Sequence, residues 1–171
     1  MDEVNDTSAE YNAAYSRRVL RFAVLMGETL LHNGGEIFRV QDTMERVARA
    51  FGEENFHAYV LTNGLFASVD GAVCESSTVR ALQPGATHLG RIIAVNALSR
   101  EIAAGKVSLD EAYRRLEDIR VMPYHSNGWR IAACAVGCGC FSYLFGGSVM
   151  DAMAGTVAGF CLEPLRIALD R

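Results

Sequence analysis

Residues 56–82 read FHAYVLTNGLFASVDGAVCESSTVRAL, and their periodicity decides the fold. Phe56, Ala58, Val60 and Thr62 alternate with His57, Tyr59 and Leu61, the two-residue period of a strand with one buried face. Asn63-Gly64 is a dipeptide suited to closing a hairpin, because both positions tolerate positive φ. Residues 65–69 then read as the returning strand and Asp70-Gly71 as a second turn. Residues 73–82 read as a third strand, ended by Gln83-Pro84-Gly85. The stretch predicts a three-stranded antiparallel meander.

Helical patterns surround it. Residues 1–8 are expected to be a disordered start, after which a capping box from Thr7 to Glu10 opens a long helix. Tyr15, Val19, Phe22, Met26 and Leu30 mark its apolar face, and Asn33-Gly34-Gly35 its end. A second helix is expected over residues 36–51, with Ile37, Val40, Met44, Val47 and Phe51 in one stripe. Glu36 and Thr43 fall at one edge of that stripe, Arg39 slightly further round, and Asp42 on the opposite, solvated side. Past the meander, Thr87 is the expected cap of a third helix that ends at Gly105. Ser108 and Glu111 are the capping box of a fourth, which runs to about residue 119. Residues 121–128 look like a linker. The order ααβββαα is that of an α+β domain, with helices packed on a small three-stranded antiparallel sheet, over residues 9–128.

The rest of the chain has a different composition. Residues 1–128 carry 13 Lys/Arg and 17 Asp/Glu, whereas residues 129–171 carry three of each. Residues 131–150 are uncharged, and as a helix they would span about 30 Å, roughly one bilayer core. Gly146-Gly147 is placed to break this run after residue 145. A second uncharged stretch, residues 152–162, contains Gly155-x-x-x-Gly159, a spacing that lets helix backbones approach closely in lipid, and Pro164 is expected to bend or end it. Residues 129–171 therefore read as an apolar, glycine-rich helical hairpin. It is either two membrane segments or the buried hairpin of a soluble protein, forming core or an oligomer interface. Trp129 and Arg130 suit an interfacial anchor. In the membrane reading, Arg114, Arg115 and Arg120 before the hairpin and Arg166 and Arg171 after it put both flanks in the cytoplasm.

The mild acidity, a net charge of -4, supplies no general electrostatic attraction for nucleic acid. Five cysteines, four of them in apolar sequence, do not make a secreted disulfide framework, and no signal peptide opens the sequence. Cys134, Cys138 and Cys140 cannot all face one metal from a single helix and read as small packing residues. The four histidines lack metal-ligand spacing, so no metal site and no cofactor is implied. No phosphate-binding loop, dinucleotide fingerprint or nucleophile elbow is present. Two polar features remain with open readings. The Asn33–Glu36 corner is either a helix cap or part of a polar site with Arg39 and Thr43. Asp151 is either a charge on a polar pathway through a membrane or an ordinary acid at a helix N-terminus.

The segment Gly34-Gly35-Glu36-Ile37-Phe38-Arg39-Val40-Gln41-Asp42-Thr43-Met44 resembles the G-G-E-I-x-R-V-E-D-T-M signature of the threonine/serine exporter family. Residues 27–31, 60–66, 95–100 and 145–152 are similar to further family motifs, in the family's order. The resemblance implies a cytoplasmic N-terminal domain joined to an inner-membrane domain that exports threonine and serine, driven by protons. Some relatives are split over two chains and linked to small dicarboxylates. Accordingly, threonine, serine or a small dicarboxylate is the expected substrate, and a lipid membrane, a second copy or a membrane subunit the expected partner. By position, Glu36, Arg39, Asp42 and Thr43 match the signature, and Asn96 and Asp151 the later motifs; all six are candidates for substrate or proton handling. No catalytic residue is implied, although the family's N-terminal domain has been likened to hydrolases. The competing expectation is a soluble metabolite-binding or hydrolase-like module. Gln41 departs from the signature's Glu. Family members also continue into about five membrane segments, or about ten when fused, whereas this sequence has room for two. It is expected to be a fragment or a shortened relative that does not transport alone.

Overall fold

A computed structural model describes residues 2–70, 75–82, 85–123 and 126–169, with side chains from residue 11 onward except that of Glu75. The described elements are α1 (Asp2–His32), α2 (Ile37–Ala50), β1 (Phe56–Leu61), β2 (Gly64–Asp70), β3 (Glu75–Ala81), α3 (Leu89–Ala103), α4 (Leu109–Arg120), α5 (Asn127–Leu144) and α6 (Val149–Leu169). The chain divides into two compact units, Met1–Met122 and Pro123–Arg171.

In the first unit the strands form an antiparallel sheet in the order β1-β2-β3. Phe56 lies opposite Val69, Ala58 opposite Ala67 and Val60 opposite Leu65, so one pleat face of β1 and β2 carries the apolar residues. On β3 the partners of Leu65, Ala67 and Val69 are Arg80, Thr78 and Ser76, which makes it a polar edge strand that discourages further pairing. α1 and α2 cover the apolar face, and α1 also packs against α3 and α4. Val19, Phe22, Met26, Met44, Leu65, Leu98, Ile102 and Leu116 are fully buried, so each helix contributes to one core. The unit is α+β as its periodicities predict.

Local differences have local causes. α1 starts at Asp2, ahead of the expected capping box and through residues 2–8; no Gly or Pro interrupts the ladder there, and the side chains of Thr7 and Glu10 lie outside the described residues. The Gly71 turn, the first residues of the expected third strand and Gln83-Pro84 also lie outside them. The cap of α3 is His88 rather than Thr87: its Nδ1 accepts from the Arg91 N–H at 3.2 Å. Ser108 caps α4 as expected, but Glu111 pairs with Arg114 instead of closing the box.

The second unit is a helical hairpin. Gly146 takes a φ of 90° past the end of α5, and the Gly147 N–H reaches back to the Ser142 carbonyl at 3.0 Å, a glycine-dependent helix stop. Glycines also let the two helices meet. A Cβ on Gly159 would lie 2.8 Å from the Cys134 carbonyl oxygen, one on Gly155 would strike Ser142, and one on Gly139 would strike Thr156. Asn127 and Gly128, read as linker, form the first turn of α5, and Pro164 lies inside α6 without ending it. Proline deletes only one intrahelical bond, and those around it persist. Among the described residues α6 alone is long and apolar enough to cross a membrane. α5 begins with the polar turn Asn127–Arg130, leaving the 14 uncharged residues Ile131–Leu144 within the helix.

Candidate functional site

The helix period turns four of the candidate residues into one surface. On α2, Arg39, Asp42, Thr43 and Arg46 are spaced i, i+3, i+4 and i+7, and so form one stripe. On α3, Asn96, Arg100 and Ala103 do the same. These two stripes line a cleft of about 490 Å³, with the exposed ring of Phe38 at its edge. The structure thus brings Arg39, Asp42, Thr43 and Asn96 together.

Arg46 ties the cleft walls to each other. Its Nη1 donates to Asp42 at 2.7 Å, and its Nη2 donates to Thr43 Oγ1 at 3.3 Å and to Ser99 Oγ on α3 at 3.0 Å. Thr43 and Ser99 are almost fully buried, and the guanidinium satisfies both hydroxyls. The Arg46 Nε is itself buried without a partner among the described residues, a deficit of about 1–3 kcal/mol. Asp42 is exposed, as its place on the helical wheel predicts, and is held at the rim by Arg46. Arg39 and Arg100 are exposed and, among the described residues, have no ion-pair partner. Arg46, Ser99 and Arg100 were not among the candidates. The available signals were the i+3 and i+4 spacing of Arg46 from Thr43 and Asp42, and that of Ser99 and Arg100 from Asn96.

Glu36 does not join the cleft. It is the N-cap residue of α2, exposed and without a side-chain cap bond. The preceding corner is structural in its contacts. Gly34 has a φ of 88°, and the Gly35 N–H donates to the Leu30 carbonyl at 2.8 Å. Asn33 is buried: its Nδ2 donates to the Thr29 carbonyl at 2.6 Å, and its Oδ1 accepts from Arg91 Nη1 at 3.3 Å. A side chain on Gly34 would crowd Thr87, so the glycine pair closes α1 against the entry to α3.

Asp151 lies in the other unit, at the start of α6. Its Oδ2 accepts from the Ser148 N–H and Oγ–H, both at 2.8 Å, and its own N–H reaches Ser148 Oγ at 3.3 Å. This reciprocal cap fixes Asp151 at the turn between α5 and α6. At the opposite end of the hairpin, Glu163 is buried and accepts from Arg130 Nη2 at 2.9 Å and from Arg166 Nη2 at 3.1 Å. Burying a carboxylate is tolerable only with such partners. Cys134 and Cys138 sit where α6 passes at Gly159, and Cys140 is exposed. Among the described residues no three His, Cys, Asp or Glu side chains are placed to hold a metal. A concavity of about 620 Å³ lies along α5 and α6 and is almost wholly apolar, so it offers little to orient a polar metabolite.

Comparison with known proteins agrees with the motif order. The sequence profile of the threonine/serine exporter family matches residues 21–171. A protein named "Probable threonine/serine exporter" from Mycobacterium tuberculosis is 22% identical over 171 residues, covering 96% of this chain and 32% of that relative. The chain thus spans about a third of the length of that relative. No solved structure matches. With the signature at the start of α2, the later motifs on β1, β2, α3 and the α5–α6 turn, and a family match over most of its length, the chain belongs to the threonine/serine exporter family.

Proposed function

We propose that this chain is part of a membrane exporter of threonine and serine, with residues 9–128 as its cytoplasmic domain and the helical hairpin of residues 129–171 held in the inner membrane. The observation that carries the reading is the burial pattern of the hairpin. Phe141, Leu144, Phe145, Met153, Phe160 and Leu165 are all more than half exposed, while glycines and Glu163 occupy the helix contact. Each such side chain gains about 1.5–3 kcal/mol on leaving water, so a surface of this kind calls for an apolar surround. At 21 residues, α6 is about 31 Å long and matches a bilayer core. Arg130 and Arg166 mark the open end of the hairpin, which the excess of basic residues on cytoplasmic loops assigns to the cytoplasm. In this reading proton coupling falls to Asp151, the acidic residue beside the turn.

Membrane fractionation tests the first half. The chain is expected to sediment with membranes, resist alkaline extraction and be released by detergent; recovery as a soluble monomer without detergent would overturn it. The second half is read in the host: disrupting the coding sequence is expected to lower threonine and serine efflux and tolerance, and unchanged efflux sinks the substrate assignment.

A further inference from the structure

The α2–α3 cleft has a charge that its chain does not share. The protein carries a net charge of -4, yet the charged residues lining the cleft are Arg39, Arg46 and Arg100 against Asp42 alone. Asp42 is already engaged by Arg46 at 2.7 Å. Arg46 is in turn fixed by Thr43 and Ser99, so it forms a positioned floor between the helices. Arg39 from one wall and Arg100 from the other are exposed and, among the described residues, lack ion-pair partners. The intervening polar group is the half-buried Asn96 amide, which can donate.

Guanidinium groups are planar forks that match oxyanions with two parallel N–H donors, and they attract negative charge most strongly where a wall excludes part of the solvent. A zwitterion such as threonine suits this cleft poorly. Its ammonium needs an acceptor, and the lining carboxylate is held by Arg46. A phosphoryl group suits it better, since it presents close to two negative charges and three acceptor oxygens at one point, enough for arginines on both walls. We propose that the cleft between α2 and α3 binds a small phosphoryl-bearing anion through Arg39 and Arg100, with Asn96 donating to it and Arg46 holding the two walls in register. The inference does not rest on the export reading, and its failure would leave membrane association untouched.

The test uses the full chain purified in detergent and titrated with inorganic phosphate at constant ionic strength, by calorimetry and by melting temperature. Saturable binding and a melting temperature that climbs with phosphate concentration are expected. Arg39→Gln and Arg100→Gln should each weaken phosphate binding at least tenfold. Arg114→Gln, which removes an exposed arginine on α4, should leave it unchanged. Arg39 and Arg100 are exposed, and circular dichroism of the variants verifies that they fold. Absence of saturable phosphate binding, equal affinity in the cleft variants, or a loss as large in Arg114→Gln would overturn the proposal. So would tighter binding of malonate, which would make the ligand a dicarboxylate, or of threonine, which would make it a zwitterion.

Discussion

The two units of this chain bury opposite kinds of residue. In Met1–Met122 large apolar side chains such as Phe22, Met26 and Leu98 are inside. In Pro123–Arg171 the buried positions among the described residues are Ala135, Gly139, Gly159 and Glu163, while Phe, Leu, Met and Val side chains cover the outside. The glycines differ in the same way. Gly34, Gly52 and Gly105 sit past helix ends at positive φ, where they allow the backbone to turn, whereas Gly139, Gly155 and Gly159 lie within helices and make room for the neighbouring one. The first pattern is driven by water leaving apolar surface. The second is held by close backbone approach and paired charges, as expected where the surround is itself apolar.

The contrast can be broken most decisively with aromatic truncations. Phe22 is fully buried, edge-on to Phe51 and Tyr113, and Phe22→Ala should destabilise the first unit by about 3–5 kcal/mol in denaturant melts. Phe160→Ala, on an exposed ring of α6, should leave the fold of the detergent-solubilised chain nearly unchanged. A large folding defect from Phe160→Ala would mean that the hairpin surface is packed like an ordinary core.

A smaller effect sharpens the glycine half. Gly159→Leu must displace the Cys134 carbonyl and Cys138, an overpacking cost of about 1–3 kcal/mol, and should loosen the hairpin. Gly137, which faces open space on the same helix pair, should accept Leu without loss. Proteolysis of the detergent-solubilised variants across the Gly146 turn would report the difference, and equal behaviour would remove close approach as the basis of the packing.

The smallest expected effect concerns the surface charges of the first unit. Arg115 donates to both carboxylate oxygens of Glu101, at 2.7 and 3.0 Å, and this hydrogen bonding holds the Glu101 carboxyl below its ordinary value of 4.5. A depressed folded-state value means that the stabilisation is complete above the ordinary value and is lost as the pH falls through the depressed one. The melting temperatures of the native chain and Arg115→Gln should therefore differ modestly at neutral pH and converge in acid. A constant gap would place the effect of Arg115 in packing rather than charge. Because both groups are solvated, the gap should also shrink with added salt.

Much of the fold was legible because its signals are local. Alternation around Asn63-Gly64 located the meander, the glycines at 34, 105 and 146 located helix ends, and Ser108 located a cap. What was not legible depended on contacts between distant segments. His88 rather than the expected Thr87 caps α3, and its N–H donates to the distant Asn33 carbonyl at 3.1 Å. The candidate site shows the same division. The motifs marked Arg39, Asp42, Thr43 and Asn96 separately, but that they face one cleft depends on how α3 lies against α2. Arg46 and Ser99 are 53 positions apart and share a hydrogen bond that no spacing rule anticipates. Glu163 was missed for the same reason, since its significance rests on Arg130, one hairpin away.

The sequence by itself determined the elements, their order and the boundary between a charged region and an apolar one, since periodicity, turn residues and charge density act over a few neighbouring residues. Only the tertiary structure decided which candidates meet. Glu36 and Asp151 carry the same carboxylate chemistry as Asp42, yet one is an exposed helix cap and the other closes a turn in the hairpin. A side chain's role follows from what the folded chain brings within hydrogen-bonding distance of it, and long-range packing alone sets that distance.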